Sequence, residues 1–196
     1  MKQKLIDATL HQYSLHGYHG ATMKKIADAV GIKPASIYFF YKNKEDLFLA
    51  AFQYYLGKHF NEMKRVIDEN KDNPVSQIFL ALLYGIVNFH KEDREGTNAY
   101  ISLVTSPIPE IHMYLTKHML MYNDWLSETL GSALKKGYPT ISASEVDRTV
   151  KQFVFIGNGV FWGINLYEDK DFTEQVELAD EMIQSIFIRL ETLHCK

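Results

Sequence analysis

The side chains that catalysis or metal binding would need are present in this sequence, but their spacing supports neither. His11, His16, His19, His59, His90, His112, His118 and His194 form no HExxH and no pair four residues apart, the arrangement that puts two imidazoles on one helical face. No GxSxG, P-loop or dinucleotide fingerprint occurs, and the carboxylate neighbours Glu92-Asp93 and Asp169-Asp171 suit solvated helix ends better than an acid/base pair. No cofactor and no metal are therefore expected. The one thiol, Cys195, has no partner for a disulfide, which fits a reducing compartment and a cytoplasmic protein. The chemistry left is that of binding. Thr22 stands where a short helix begins, with a hydroxyl and free N–H groups of the kind that hold phosphate. As a plain helix cap it needs no such partner.

Charge separates the two ends of the chain. The whole carries −3, which taken alone argues against nucleic acid. Through Ala50, however, Lys2, Lys4, Lys24, Lys25, Lys33, Lys42 and Lys44 outweigh Asp7, Asp28, Glu45 and Asp46, for a net +3 against −6 in the remainder. A small basic head sits on an acidic body. With 46% hydrophobic and 23% charged residues and five prolines, the chain can bury a large core, and 196 residues accommodate two unequal domains. No secretory apolar region follows Lys4, and the uncharged stretch from Gln152 to Tyr167 falls short of the roughly 20 residues of a spanning helix, so no membrane association is expected.

Periodicity predicts helices throughout. Leu5, Ile6, Thr9, Leu10 and Tyr13 share one face of a first helix that Gly17 ends. Thr22 caps a second, with Ile26, Ala27 and Val30 on one face and Gly31 as its stop. Pro34 suits the first position of a short third helix carrying Ile37 and Tyr38. Two short helices with a glycine turn match a helix-turn-helix, whose second helix enters the DNA major groove. Asn43 caps a long fourth helix whose stripe of Phe48, Phe52, Tyr55, Met63, Val66 and Ile67 lasts to about Asn70. Further helices are predicted over 75–91, 96–105, 110–136, 144–168 and 173–193, with Pro107 and Pro109 separating two of them. The fold class expected is all-α, a three-helix DNA-binding head over residues 1–46 and a larger helical effector-binding and dimerisation domain over 47–196.

The run Leu5 to Leu10 with Tyr13, Gly17-Tyr18, Thr22, Ile26-Ala27, Val30-Gly31-Ile32, Ile37-Tyr38 and Lys42 to Leu47 closely resembles the TetR family of repressors. That resemblance implies a homodimer that binds a double-stranded DNA operator and is released by a small-molecule effector. It also implies that Tyr38 and Lys44 contact backbone phosphate; a core aromatic and a solvated charge are the plain alternatives. The sequence departs from the family pattern at Tyr13 and Tyr41, where phenylalanine is usual, and at Lys33-Pro34, where serine then lysine is frequent. Lys33 cannot accept a capping bond, and Pro34 partly compensates.

Lys33, Pro34, Ala35 and Ser36 open the recognition helix and are the candidates to face base edges, with Phe39 where the family often has histidine or tyrosine. No arginine precedes Arg65, so the head lacks the side chain that most often reads guanine, while Ala35 and Phe39 can meet thymine methyls. An AT-rich operator is expected.

In the body, aromatic and methionine side chains suit an apolar effector pocket, and Phe89, Tyr100, Met119, Tyr122, Trp125, Phe155, Asn158 and Trp162 are its candidates. Asn158 is a polar residue within the most apolar helix. Gly157, Gly159 and Gly163 imply a tight helix contact, which assigns that helix and the last one, with Val176, Ile183, Phe187 and Leu190, to a dimer interface; packing within one subunit is the alternative. Three function classes stand: a ligand-responsive repressor, a DNA-binding protein without an effector, and a helical enzyme or carrier.

Overall fold

A computed structural model describes residues 1–104 and 108–194. Cys195 and Pro107 lie outside the described residues. The helices are α1 (Lys2–Gly20), α2 (Met23–Ala29), α3 (Pro34–Ile37), α4 (Lys44–Asn70), α5 (Val75–Glu92), α6 (Arg94–Val104), α7 (Pro109–Gly137), α8 (Ala143–Leu166) and α9 (Asp169–His194). Among the described residues there is no strand, and no helix is long and apolar enough to cross a membrane. The all-α class is as expected.

The chain divides into two compact units, one of residues 1–59 with 93–120 and one of 60–92 with 121–196. Residue 46, where the head was expected to end, lies in the first turn of α4, and that helix continues without a break.

In the first unit the predicted face of α1 is buried: Leu5, Thr9, Leu10 and Tyr13 are all inside. The Tyr13 ring meets Phe48 and Phe52 of α4 edge-on, with centroids 5.7 and 5.1 Å away. Thr9 is buried at no polar cost because its hydroxyl donates to the Leu5 carbonyl at 2.6 Å. Gly17 interrupts α1 as predicted, at φ +62°, but the chain resumes helical geometry for a last turn ending at Gly20. α6 packs along α1, joined at its start by His11 Nδ1 and Glu95 Oε2, 2.9 Å apart.

The second unit packs α5, α8 and α9 around Phe79, whose ring meets Phe153 at 5.1 Å and Phe187 at 5.0 Å. Burying each such ring contributes about 1.5–3 kcal/mol. α8 begins at a capping box, with Ser142 Oγ accepting from the Glu145 N–H and Glu145 Oε2 accepting from the Ser142 N–H, both 3.2 Å.

This packing corrects the interface assignment on α9. Val176, Ile183, Phe187 and Leu190 are buried within their own unit. The outward face of α9 carries instead Leu178 and Met182, so the helix has two apolar faces, and the inward one, not the outward, holds the residues expected at the interface. The glycines of α8 divide likewise: a Cβ on Gly157 would stand 3.7 Å from Ile86 and one on Gly163 3.5 Å from Phe172, whereas Gly159 faces open space.

Candidate nucleic-acid interface

α2 is held at both ends by backbone chemistry. Thr22 Oγ1 accepts from the Lys25 N–H at 3.2 Å, which uses the oxygen but leaves the hydroxyl proton free to donate. At the other end the Ile32 N–H reaches the Ala27 carbonyl at 3.0 Å and the Gly31 N–H the Asp28 carbonyl at 3.2 Å. These nested bonds require a left-handed residue, and Gly31 supplies it at φ +72°. The turn therefore delivers the chain to α3 in one geometry.

α3 is a single turn opened by Pro34. Lys33 occupies the capping position without a side-chain bond, as its chemistry dictates. Ile37 alone is fully buried and pins the turn against α2. Around that anchor Lys33, Pro34 and Ala35 are exposed and Ser36 is half-buried. Tyr38 is 55% exposed and Phe39 86%, so neither ring belongs to the core. The residues expected to face base edges thus share one solvent-facing segment, with Tyr38 and Phe39 as an aromatic pair at its far end.

Lys44 is placed differently. Its ammonium donates to the Tyr18 carbonyl and lies 4.1 Å from the Tyr18 ring centroid. Burial lowers its pKa from the ordinary lysine value. The Tyr18 hydroxyl donates to Glu45 Oε1 at 2.7 Å, and burial together with that carboxylate holds the phenol well above the usual tyrosine range. The same hydrogen bond keeps the Glu45 carboxyl below the ordinary value. Asn43 caps α4 as predicted, its Oδ1 accepting from the Asp46 N–H at 2.8 Å, while Asp46 Oδ2 accepts from the Lys42 N–H at 2.9 Å. The pairing of Tyr18 with Glu45 is not legible in the sequence, since nothing local links positions 27 apart.

The effector candidates fall into several places. In the first unit Tyr100 donates its hydroxyl to Met119 Sδ at 3.1 Å, and burial pushes that phenol up to about 12. In the second, Tyr122 and Trp125 lie 5.6 Å apart, both edge-on to Phe60. Phe89 is buried beside His90. Phe155, Asn158 and Trp162 instead face outward on α8, with Phe155 77% exposed. Asn158 is therefore no polar group within a core. Phe155 lines an open groove of about 790 Å³ between α8 and α9, together with Ile156, Leu178, Met182 and Ile186.

Residues 5–51, which contain this whole interface, match the family model described as bacterial regulatory proteins, tetR family. The head is a TetR-family domain. It is 29% identical over 197 residues to the uncharacterized HTH-type transcriptional regulator YerO of Bacillus subtilis (strain 168), an alignment that takes in 94% of this chain and 65% of that protein. It is 25% identical over 131 residues to IcaR of Staphylococcus epidermidis, the negative transcriptional regulator of the biofilm operon icaADBC, covering 66% of this chain and 67% of IcaR. Among solved structures it superposes on the transcriptional regulator FadR from Bacillus subtilis in complex with stearoyl-CoA with a TM-score of 0.73, covering 95% of this chain and 97% of that one at 18% identity. That likeness is one of fold: the TetR head and a helical body.

Proposed function

We propose that this TetR-family chain is a ligand-responsive transcriptional repressor that acts on DNA in the cytoplasm, binding a palindromic operator as a homodimer and leaving it when a small apolar or aromatic effector binds. The observation that carries this reading is the segment from Lys33 to Phe39, held by the Gly31 turn and the Ile37 anchor with its remaining side chains open to solvent. In this reading Lys33, Pro34, Ala35, Ser36 and Phe39 face base edges, and Thr22 and Tyr38 offer hydroxyl donors to phosphate. IcaR, a negative regulator by its description, supports repression over activation.

Dimerisation is supported by the outward faces of α8 and α9. The groove between them is walled by Phe155, Ile156, Leu178, Met182 and Ile186, an apolar patch that a two-fold axis would cover with its own copy, as an isologous contact requires. Two heads then present α3 to major grooves about 34 Å apart. An effector that binds the DNA-incompetent arrangement more tightly lowers operator affinity by its differential affinity for the two states.

Apolar walls for an effector are available at Tyr122, Trp125 and Phe60, and at Tyr100 and Met119. Acyl-CoA thioesters are the first compounds to try, because FadR holds stearoyl-CoA in the same fold.

Selection from a random duplex pool tests the DNA half of the reading: enrichment of an inverted repeat is expected, and a protein that enriches no duplex overturns it. Thermal-shift screening tests the effector half, since a ligand at about 100 times its Kd stabilises the native state by about 2.7 kcal/mol. A hit that raises the melting temperature and releases the selected duplex is expected. A hit that stabilises without releasing DNA argues for a binding protein of another kind.

A further inference from the structure

The break at Gly17 leaves the Tyr18 carbonyl at a helix end. In a continuing helix it would accept from the Thr22 N–H, but that group goes to the Gly20 carbonyl at 3.1 Å. Unclaimed carbonyls at a helix C-terminus attract cations. The ammonium of Lys44 fills this place, donating to the Tyr18 carbonyl and standing 5.4 Å from the centroid of Phe48 besides its closer approach to the Tyr18 ring. Tyr18 is also gripped from the side, by Glu45 at its hydroxyl and by the Phe48 ring edge-on at 5.0 Å. The end of α1 and the start of α4 are thus joined by consecutive residues of α4 acting on one tyrosine.

A lysine that neutralises phosphate should present its ammonium to solvent, and Lys33 and Lys42 are exposed. Lys44 is half-buried with its ammonium already engaged. The chain between it and the recognition helix is braced at every step. The Phe40 and Tyr41 N–H groups return to the Ile37 carbonyl at 2.8 and 3.1 Å, the Lys42 N–H donates to Asp46 Oδ2, and the Asp46 N–H donates to the Asn43 cap. Whatever holds the first turn of α4 against α1 therefore also sets where Tyr38 and Phe39 stand.

We propose that Lys44 is a positioning residue of the DNA-binding head: it latches the start of α4 to the Tyr18 carbonyl and so orients the segment from Tyr38 to Asn43, and it does not neutralise a phosphate. This rests on the DNA-binding reading above, and its test separates the two.

The probe is the duplex that the wild-type chain selects from a random pool, with affinity measured between about 50 and 200 mM salt. Lys44→Ala should weaken binding about tenfold, the scale of losing one charge-assisted hydrogen bond, with the slope of log affinity against log salt unchanged. Lys44→Gln, uncharged but still an N–H donor, should recover part of that loss at the same slope. In a Tyr18→Leu background Lys44→Ala should add little, because the carbonyl is then no longer held in place.

A slope lowered by about 0.9 in Lys44→Ala, the signature of one lost phosphate contact, overturns the proposal. So does Lys44→Gln binding no better than Lys44→Ala, or full multiplication of the Lys44 and Tyr18 effects. Should Tyr18→Leu not fold, as judged by circular dichroism, the slope and the glutamine variant decide alone. A wild-type protein that selects no duplex fails the DNA-binding reading itself, and the latch with it.

Discussion

Tyr55 on α4 and Gly96 on α6 fit together so closely that a Cβ placed on Gly96 would stand 2.1 Å from Tyr55 Cε2. The ring has little freedom to retreat, since Tyr55 Oη and Thr97 Oγ1 lie 3.1 Å apart and the ring tilts against Tyr100 at 6.2 Å. Burial holds the Tyr55 phenol well above its ordinary range. Gly96→Ala is thus an overpacking change and should cost about 1–3 kcal/mol, read as a lower urea midpoint. The loss should shrink in a Tyr55→Leu background, where the ring edge is gone. Equal losses in both backgrounds would sink the idea that the ring is what excludes a side chain.

Phe39, exposed beside Ala35 on a head without arginine, should read thymine through its methyl. Replacing single thymidines of the selected duplex by deoxyuridine removes that methyl and little else. At the contacted position the wild type should lose about fourfold, the scale of one buried carbon, and Phe39→Ala should be indifferent. A selected half-site dominated by G·C pairs would contradict the expectation.

Ser36→Ala should alter which duplexes are enriched without lowering the salt slope, because a hydroxyl at a base edge specifies sequence and carries no charge. Unchanged enrichment would place Ser36 outside the groove.

Phe155→Asp and Met182→Asp each put a charge on the apolar face of α8 and α9. Sedimentation should find monomers of unchanged helicity, with operator affinity at least about 100-fold weaker because the two half-sites no longer reinforce one another. Persistent dimers in both variants would locate the interface elsewhere.

The pH dependence of stability has a definite sign at His118. Burial lowers the pKa of its imidazole, so below the ordinary value of about 6.5 the unfolded chain takes up a proton more readily than the folded one. Its contribution is present above that value and is lost as pH falls through it toward the folded pKa. The melting temperature should therefore drop from about pH 7.5 to 5.5, and His118→Gln should flatten the drop. An unaltered profile would assign the acid sensitivity to other groups.

What the sequence could show was local. A cap such as Thr22 or Asn43, the left-handed Gly31 and the helix-opening Pro34 act within a few residues, and each marked its boundary. The stripe of α4 was legible for the same reason. The outward face of α9 was not, because Leu178 and Met182 repeat with the same helical spacing as Ile183 and Phe187, and periodicity does not say which stripe a neighbour covers. Nor could composition place Asn158, whose apolar helix turns that side to solvent. Lys44 shows the limit most clearly: its partner lies 26 residues away and appears only when the break at Gly17 brings the Tyr18 carbonyl to it.

The head's freedom from arginine reaches beyond base reading. All seven cationic side chains through Ala50 are primary amines, which acylation converts to neutral amides, a conversion that guanidinium groups resist. Exhaustive acylation would leave its four carboxylates unopposed and turn the side-chain charge from +3 to −4. Mild treatment with an acylating reagent is accordingly a chemical switch for this surface, and one that duplex already in place should protect.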